Sequence, residues 1–262
     1  SAMVADPLRL MDICATSDGG AALIVSSVEY AEKIGKGDAP RVAAISTTTP
    51  TFASSVVEMP DIATDSAAAV GVDPHAFRST LPLKAYEEAG IGPEDVDLAE
   101  VYDLSTALEL DWIEDLQLAP RGEAAQLLRA GDTAIGGKIP VNVSGGLACF
   151  GEAVPAQALA QVCELTWQLR GEAVDRLVVD AMVGITANLG LFGHGSSVII
   201  KLKSPTQWAH PGMKPATGKR PGRPAPAGRA PPGSSWWSQG TSSSGFPATR
   251  TSAAASRQTG HP

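Results

Sequence analysis

Cysteine, tyrosine and histidine are scarce in this sequence: three, three and four among 262 residues, with aromatic side chains at 5%. Cys14, Cys149 and Cys163 are odd in number and lack the paired spacing of a metal site. That excludes a disulfide framework and a cysteine-based metal centre, and points to reduced thiols in a cytoplasmic location. No uninterrupted apolar run approaches the roughly 18 residues of a membrane span. The amino end, Ser1 to Pro7, has no basic region leading into a hydrophobic core, so no signal peptide is expected. Acidic residues are missing altogether after Lys203, where seven of the 20 Lys and Arg lie. Residues 1–203 therefore carry 13 basic against 28 acidic side chains, a net −15. So acidic a body repels nucleic acid and anionic membrane, and neither is an expected partner.

What is present is 44% hydrophobic residues arranged as short apolar runs alternating with helical periods. Ala21–Ser27 reads as a strand buried on both faces, Glu29–Ile34 as a short helix stopped by glycine, and Arg41–Thr49 as a strand ended by Pro50. Residues 51–73 have no clear period and read as a long connection. Pro74–Gly90 has an amphipathic helical pattern. Leu98–Asp103 is a strand that delivers polar residues at its end, and Thr106–Leu116 and Glu123–Arg129 are helices. Pro155 opens a long helix with Ala156, Leu159, Cys163 and Trp167 on one apolar face. Arg176–Thr186 and Ser196–Leu202 are strands joined through a glycine turn at 188–195. Strands alternating with helices and finishing in a hairpin predict an α/β fold with a layered mixed sheet. From Ser204 the texture changes: ten of the 20 prolines fall in a Gly/Ser/Ala-rich tail, a composition that predicts disorder and whose abrupt start suggests a frameshifted or artificial extension.

Chemistry concentrates in three places. Val141 to Ala156 contains Ser144-Gly145-Gly146 and Gly151-Glu152, whose glycines let backbone N–H groups approach an anion or oxyanion ahead of a helix. Tyr102 and Asp103 sit at a strand end, where α/β folds collect working residues. Tyr102 is a candidate general acid, with Asp103 to orient it. Asn188 lies between a strand and a glycine turn and can donate to a carbonyl oxygen, and His194 is flanked by Gly193 and Gly195. Glu152 is either a helix-terminal acid or a proton-transfer group. Cys149 is a candidate nucleophile without an evident histidine partner.

Taken together, Glu100-Val101-Tyr102-Asp103, then Asn142-Val143-Ser144-Gly145-Gly146-Leu147 with Gly151-Glu152, then Asn188-Leu189-Gly190 with Gly193-His194-Gly195, resemble in order and spacing the three active-site loops in the C-terminal half of a thiolase. Ser17-Asp18-Gly19-Gly20-Ala21-Ala22 resembles the segment closing the N-terminal half, so the resemblance covers residues 1 to about 203. The pattern is similar to the sterol carrier protein X and lipid-transfer-protein branch, where the first loop usually reads Val-His-Asp. Here Tyr102 stands in the place of that histidine, Glu152 in that of the Gly-His-Pro histidine, and Asn188 in that of the acid/base cysteine.

Those replacements resemble the thiolase-fold aldolases of steroid side-chain degradation, which use tyrosines rather than a cysteine and a histidine. That family is expected to use a second tyrosine, and none follows Tyr102 here. The resemblance implies a thiolase-like fold with helices on both sides of the sheet. Residues 1–30 would end the N-terminal half, otherwise absent, and residues 31–203 would form the C-terminal domain. It implies retro-aldol cleavage of a hydroxylated steroid acyl-CoA to a steroid ketone and propionyl-CoA. Tyr102, Asp103, Glu152 and Asn188 would be the catalytic residues, and Asn142, Ser144, Gly145, Gly146, Gly190 and His194 would surround the substrate. Beyond the coenzyme A thioester, no cofactor or metal is implied. The implied assembly is a homodimer when complete, with an OB-fold acyl-CoA-binding partner protein. A lipid-transfer-type acyl-CoA acyltransferase and a non-catalytic thiolase-like subunit are the alternative readings. Ala21–Ser27 would expose strand edges without its sheet neighbours, so the 262 residues alone are expected to be poorly stable or to associate, and to be inactive.

Overall fold

The computed structural model describes residues 1–48, 74–190 and 194–203. The readings placed on 49–73, 191–193 and the tail from 204 lie outside the described residues. A small exposed hairpin, β1 (Met3–Ala5) and β2 (Leu8–Arg9), opens the chain. Then come α1 (Val28–Lys33), β3 (Arg41–Thr48), α2 (Pro74–Ala89), β4 (Leu98–Val101), α3 (Thr106–Asp115), α4 (Ala124–Ala130), α5 (Gly146–Phe150), α6 (Ala156–Leu169), β5 (Val183–Leu189) and β6 (Gly195–Lys201). Serine caps start two of the helices: the Ser27 side chain accepts from the Tyr30 N–H and Ser105 from Leu108.

The main sheet has the order β3-β6-β5-β4, with β4 parallel to β5 and the other pairs antiparallel. Residues 140–142 run beside β4 as a further short edge: the Ala99 N–H donates to the Pro140 carbonyl, and the Asn142 N–H donates to the Ala99 carbonyl. β4 is thus flanked on both sides, which is why all four of its residues are buried. Side chains alternate across a strand, and the core divides accordingly. Ala99, Val101, Ile185, Ala187 and Ile199 pack with Leu81 and Ala85 of α2 and Trp112 of α3. Leu98 and Ile200 pack on the other face with Val162, Leu165 and Leu169 of α6. This is the expected mixed sheet with helices on both sides, and it aims the carboxyl ends of β4 and β5 at the loops that follow α4 and α5.

Three expectations are corrected. Ala21–Ser27 is irregular and largely exposed, with Ile24 fully in solvent and Val25 mostly so. An apolar run becomes a buried strand only when a sheet edge accepts it, and no described strand lies beside it. The sixth helix turns the opposite way from its apolar repeat. Leu159 and Trp167 are exposed, while Gln157, Gln161, Glu164 and Gln168 are buried with Val162, Leu165 and Leu169. Polar partners decide this orientation: Gln168 donates to Glu164 Oε1 and to the Arg176 carbonyl, its own Oε1 accepts the Val178 N–H, and Arg176 pairs with Glu164 at 2.8 Å. The strand placed at Arg176–Thr186 begins instead at Val183 and continues through Asn188 and Leu189, because the Asp97 carboxylate takes the N–H groups of Met182 and Val183 and starts the ladder there.

Candidate active site

The polar end of β4 builds the site. Glu100 points both carboxyl oxygens at Ser144, accepting its N–H at 3.1 Å and its hydroxyl at 2.6 Å. Ser144 Oγ in turn accepts the Gly146 N–H. Asp103 Oδ1 accepts the Leu147 N–H at 2.8 Å, and Asn142 Oδ1 accepts the Val101 N–H at 2.7 Å. Asn142 adopts φ 49°, a left-handed conformation that asparagine tolerates. The Gly145 N–H closes a turn onto the Asn142 carbonyl.

These bonds correct the expectation of an open backbone cradle: the N–H groups of Ser144, Gly145, Gly146 and Leu147 are all committed within the protein. They also correct the role given to Asp103, which secures the 142–147 loop rather than orienting Tyr102. Burial raises the Asp103 carboxyl above the ordinary carboxylate range, partly offset by the Leu147 N–H.

The partner of Tyr102 is Glu152. The phenol, at 2% exposure for the residue, donates to Glu152 Oε1. Glu152 is placed by its backbone: its N–H donates to the Ala15 carbonyl, and its own carbonyl accepts the Ser17 N–H. Gly151 makes that approach possible. With φ at +77°, any Cβ there would stand 2.6 Å from the Ser17 side chain and 2.8 Å from the Ala15 carbonyl oxygen. Burial, the hydrogen bond to Glu152 and its charge all push the Tyr102 phenol well above its usual range. Cys14, in the same neighbourhood, is driven up to about 11 by burial, Glu152 and Asp103. Its thiol stays protonated at neutral pH and is a poor nucleophile.

Asn188 leaves the end of β5 beside Tyr102, whose N–H donates to the Ala187 carbonyl at 2.9 Å. Its amide donates to Gln161 of α6, a residue sequence reasoning passed over because the apolar period pointed the other helix face inward. Gly190 and His194 close the hairpin, with the Gly190 N–H on the His194 carbonyl; His194 is exposed. Cys149 is exposed on α5. A cavity of about 150 Å³ opens beside the 142–147 loop, lined by Asp12, Cys14, Asp103, Glu109, Asn142 and Gly145 among others. Burial and Asp103 drive the Glu109 carboxyl up to about 7, and Asn142 offsets this only in part.

Residues 50–203 match the family described as thiolase C-terminal domain-like. The chain belongs to this family. Among curated relatives it is 38% identical over 205 residues to sterol carrier protein 2 of Rattus norvegicus, covering 77% of this chain and 36% of that protein. It is 36% identical over 206 residues to an acetyl-CoA acetyltransferase of Methanothermobacter thermautotrophicus, covering 76% of this chain and 49% of that protein. Of the solved structures, the Ltp2-ChsH2(DUF35) aldolase superposes with a TM-score of 0.59 at 21% identity, over 77% of this chain and 49% of that one. The thiolase family expected from the three loops is thereby shown. The chain spans between about a third and a half of the length of these relatives.

In this thiolase-family domain Glu100 is a fully buried acid, at 0% exposure. Burial drives its carboxyl up to about 8, with Glu164 and Asp103 adding to the rise and the two Ser144 bonds opposing it. A carboxyl raised on folding binds its proton more tightly in the native state, so this contribution is fully present below the ordinary value near 4.5 and is lost as the pH climbs to about 8. Glu100→Gln keeps a neutral side chain of the same shape. We expect it to flatten the fall of stability between pH 4.5 and 8 by up to about 1 kcal/mol per pH unit, read by urea melts across that range. An unchanged slope would assign the proton uptake elsewhere.

Proposed function

We propose that this domain contributes the proton-handling half of a retro-aldol site, which cleaves a hydroxylated steroid side-chain acyl-CoA to a steroid ketone and propionyl-CoA. The observation that carries the reading is the buried Tyr102–Glu152 pair. A phenol with a raised pKa is not a preformed base, but one already hydrogen-bonded to a carboxylate can relay a proton. Tyr102 Oη takes the proton of the substrate's tertiary hydroxyl as its own proton passes to Glu152. The hydroxyl oxygen becomes the ketone, the bond between the carbinol carbon and the thioester α-carbon breaks, and its electron pair moves into the thioester as an enolate. Protonation of that enolate at carbon, by the proton now on Glu152 returning through Tyr102, gives propionyl-CoA. Glu152 thus does the work expected of a second tyrosine.

No covalent acyl-enzyme is needed, which agrees with the protonated Cys14 thiol. Asn142, whose Oδ1 accepts the Val101 N–H, and Asn188 are the side-chain amides assigned here to the enolate oxygen; the committed backbone amides of the 144–147 loop serve to hold that loop rigid. Support from outside the chain is the fold shared with a solved aldolase that pairs with ChsH2. By that analogy a small acyl-CoA-binding protein is the proposed partner, and a homodimer the proposed assembly.

The test is incubation of the chain, within a complete thiolase-fold subunit, with a tertiary-hydroxy steroid acyl-CoA and separately with acetyl-CoA plus an acyl-CoA acceptor, following products by mass spectrometry. Ketone and propionyl-CoA in equal amounts support the reading. Acyl exchange without ketone would transfer the assignment to the acyltransferase chemistry named for the archaeal relative.

A further inference from the structure

A second group of polar side chains is buried as thoroughly as Tyr102, and of these only Asn188 has a part in the reaction above. Gln157 and Gln161 are one helical turn apart on the buried face of α6, at 3% and 1% exposure, and Asn188 of β5, at 4%, meets Gln161. An amide side chain offers one donor group and one acceptor oxygen. The Asn188 Nδ2–H donates to Gln161 Oε1. That leaves Asn188 Oδ1 and Gln161 Nε2, both buried and both without a hydrogen-bond partner, and Gln157 Oε1 in the same condition.

Exchanging oxygen and nitrogen in both amides of the pair does not alter the count: one free acceptor and one free donor remain. Buried polar groups are rarely left this way, because the desolvation they suffer is not returned. A carbonyl could satisfy only the donor, and an ammonium only the acceptor. A hydroxyl satisfies both through a single oxygen, accepting from Gln161 and donating to Asn188. Asn188 also stands at the carboxyl end of β5, which runs parallel to β4, where ligands of α/β sheets gather, and the preceding Ala187 carbonyl accepts the Tyr102 N–H.

We propose that the Gln161–Asn188 amide pair is a hydroxyl-binding site that selects hydroxylated over deoxygenated acyl chains. The proposal rests on the retro-aldol reading in so far as the hydroxyl belongs to an acyl-CoA; the other source of the same chemistry is a trapped water. Gln161 acts here as a specificity residue outside the proton relay: the hydroxyl donates to Asn188 on binding and turns its O–H to Tyr102 Oη when the proton is transferred.

The experiment compares two thioesters, a tertiary 3-hydroxyacyl-CoA and its 3-deoxy analogue, by calorimetry in the Tyr102→Phe background, where turnover is slowed. The hydroxylated thioester should bind at least tenfold more tightly. Adding Gln161→Met should cut that preference to under threefold while leaving the deoxy affinity unchanged, a selective loss that a general packing defect would not produce. Equal affinity of the two thioesters before the second substitution would mean that the pair holds only water, and would overturn the proposal, as would a preference that survives Gln161→Met. Should neither thioester bind, the retro-aldol reading fails by itself. The pair is then tested alone, through the side-chain amide NMR signals of Asn188 and Gln161 during titration with tert-butyl alcohol. Saturable shifts of both signals support the site, and their absence overturns it.

Discussion

Tyr102→Phe should lower ketone release about 10²- to 10⁴-fold, the range over which a positioned proton-transfer group contributes, with little change in KM. The ring stays, so the packing of a residue at 2% exposure is retained; what is lost is the one oxygen that faces Glu152. Because the relay needs both members, Glu152→Gln should show a loss of similar size, and the double substitution should cost scarcely more than either alone. Steady-state kinetics on the three variants check this. Ketone release unchanged in Tyr102→Phe would remove the pair from the mechanism, and strictly additive losses would separate the two residues into independent roles.

The second large effect is expected at a residue with no side chain. Gly146→Ala should destabilise the domain by roughly 2–5 kcal/mol, combining a methyl forced into packed surroundings with a broken buried hydrogen bond. Gly146 has φ +62°, and a Cβ there would meet the Asp103 carboxylate, with its carbon at 2.7 Å. Asp103 cannot simply swing away, since its other oxygen holds the Leu147 N–H at 2.8 Å. Either the 142–147 loop moves off β4 or Asp103 abandons Leu147, and in both cases the start of α5 is released. Thermal and urea melts give the size of the loss, and hydrogen exchange at Leu147 gives its place. A variant as stable as the parent, with Leu147 still protected, would mean that the loop is not clamped as described.

Much of this domain could be read along the chain. The alternation of apolar runs and helical periods placed β3, β4, β6 and most helices to within a residue or two, since those elements are local and their periods are set by backbone geometry. The three loops that carry Tyr102, Glu152 and Asn188 were legible as a set, because glycine and polar residues at strand ends have few other reasons to recur in that order. Elements whose state depends on a neighbour were not legible. Ala21–Ser27 has strand composition but no sheet edge to join. The sixth helix has an apolar repeat that predicts one orientation, while the chain from Arg176 to Val178 satisfies Glu164 and Gln168 only in the other. Gln161, the residue that turned out to hold Asn188, was hidden by the same reversal.

By itself, then, the sequence determined the family, the layered α/β pattern and the identity of the residues gathered at the carboxyl ends of β4 and β5. Pairing was decided only in three dimensions. Sequence adjacency suggested Asp103 as the companion of Tyr102, yet the companion is Glu152, fifty residues away, because Asp103 is spent on the Leu147 N–H. Hydrogen bonds depend on distance and direction to within a few tenths of an ångström. No spacing along a chain carries that information until the sheet has brought its strand ends and loops together.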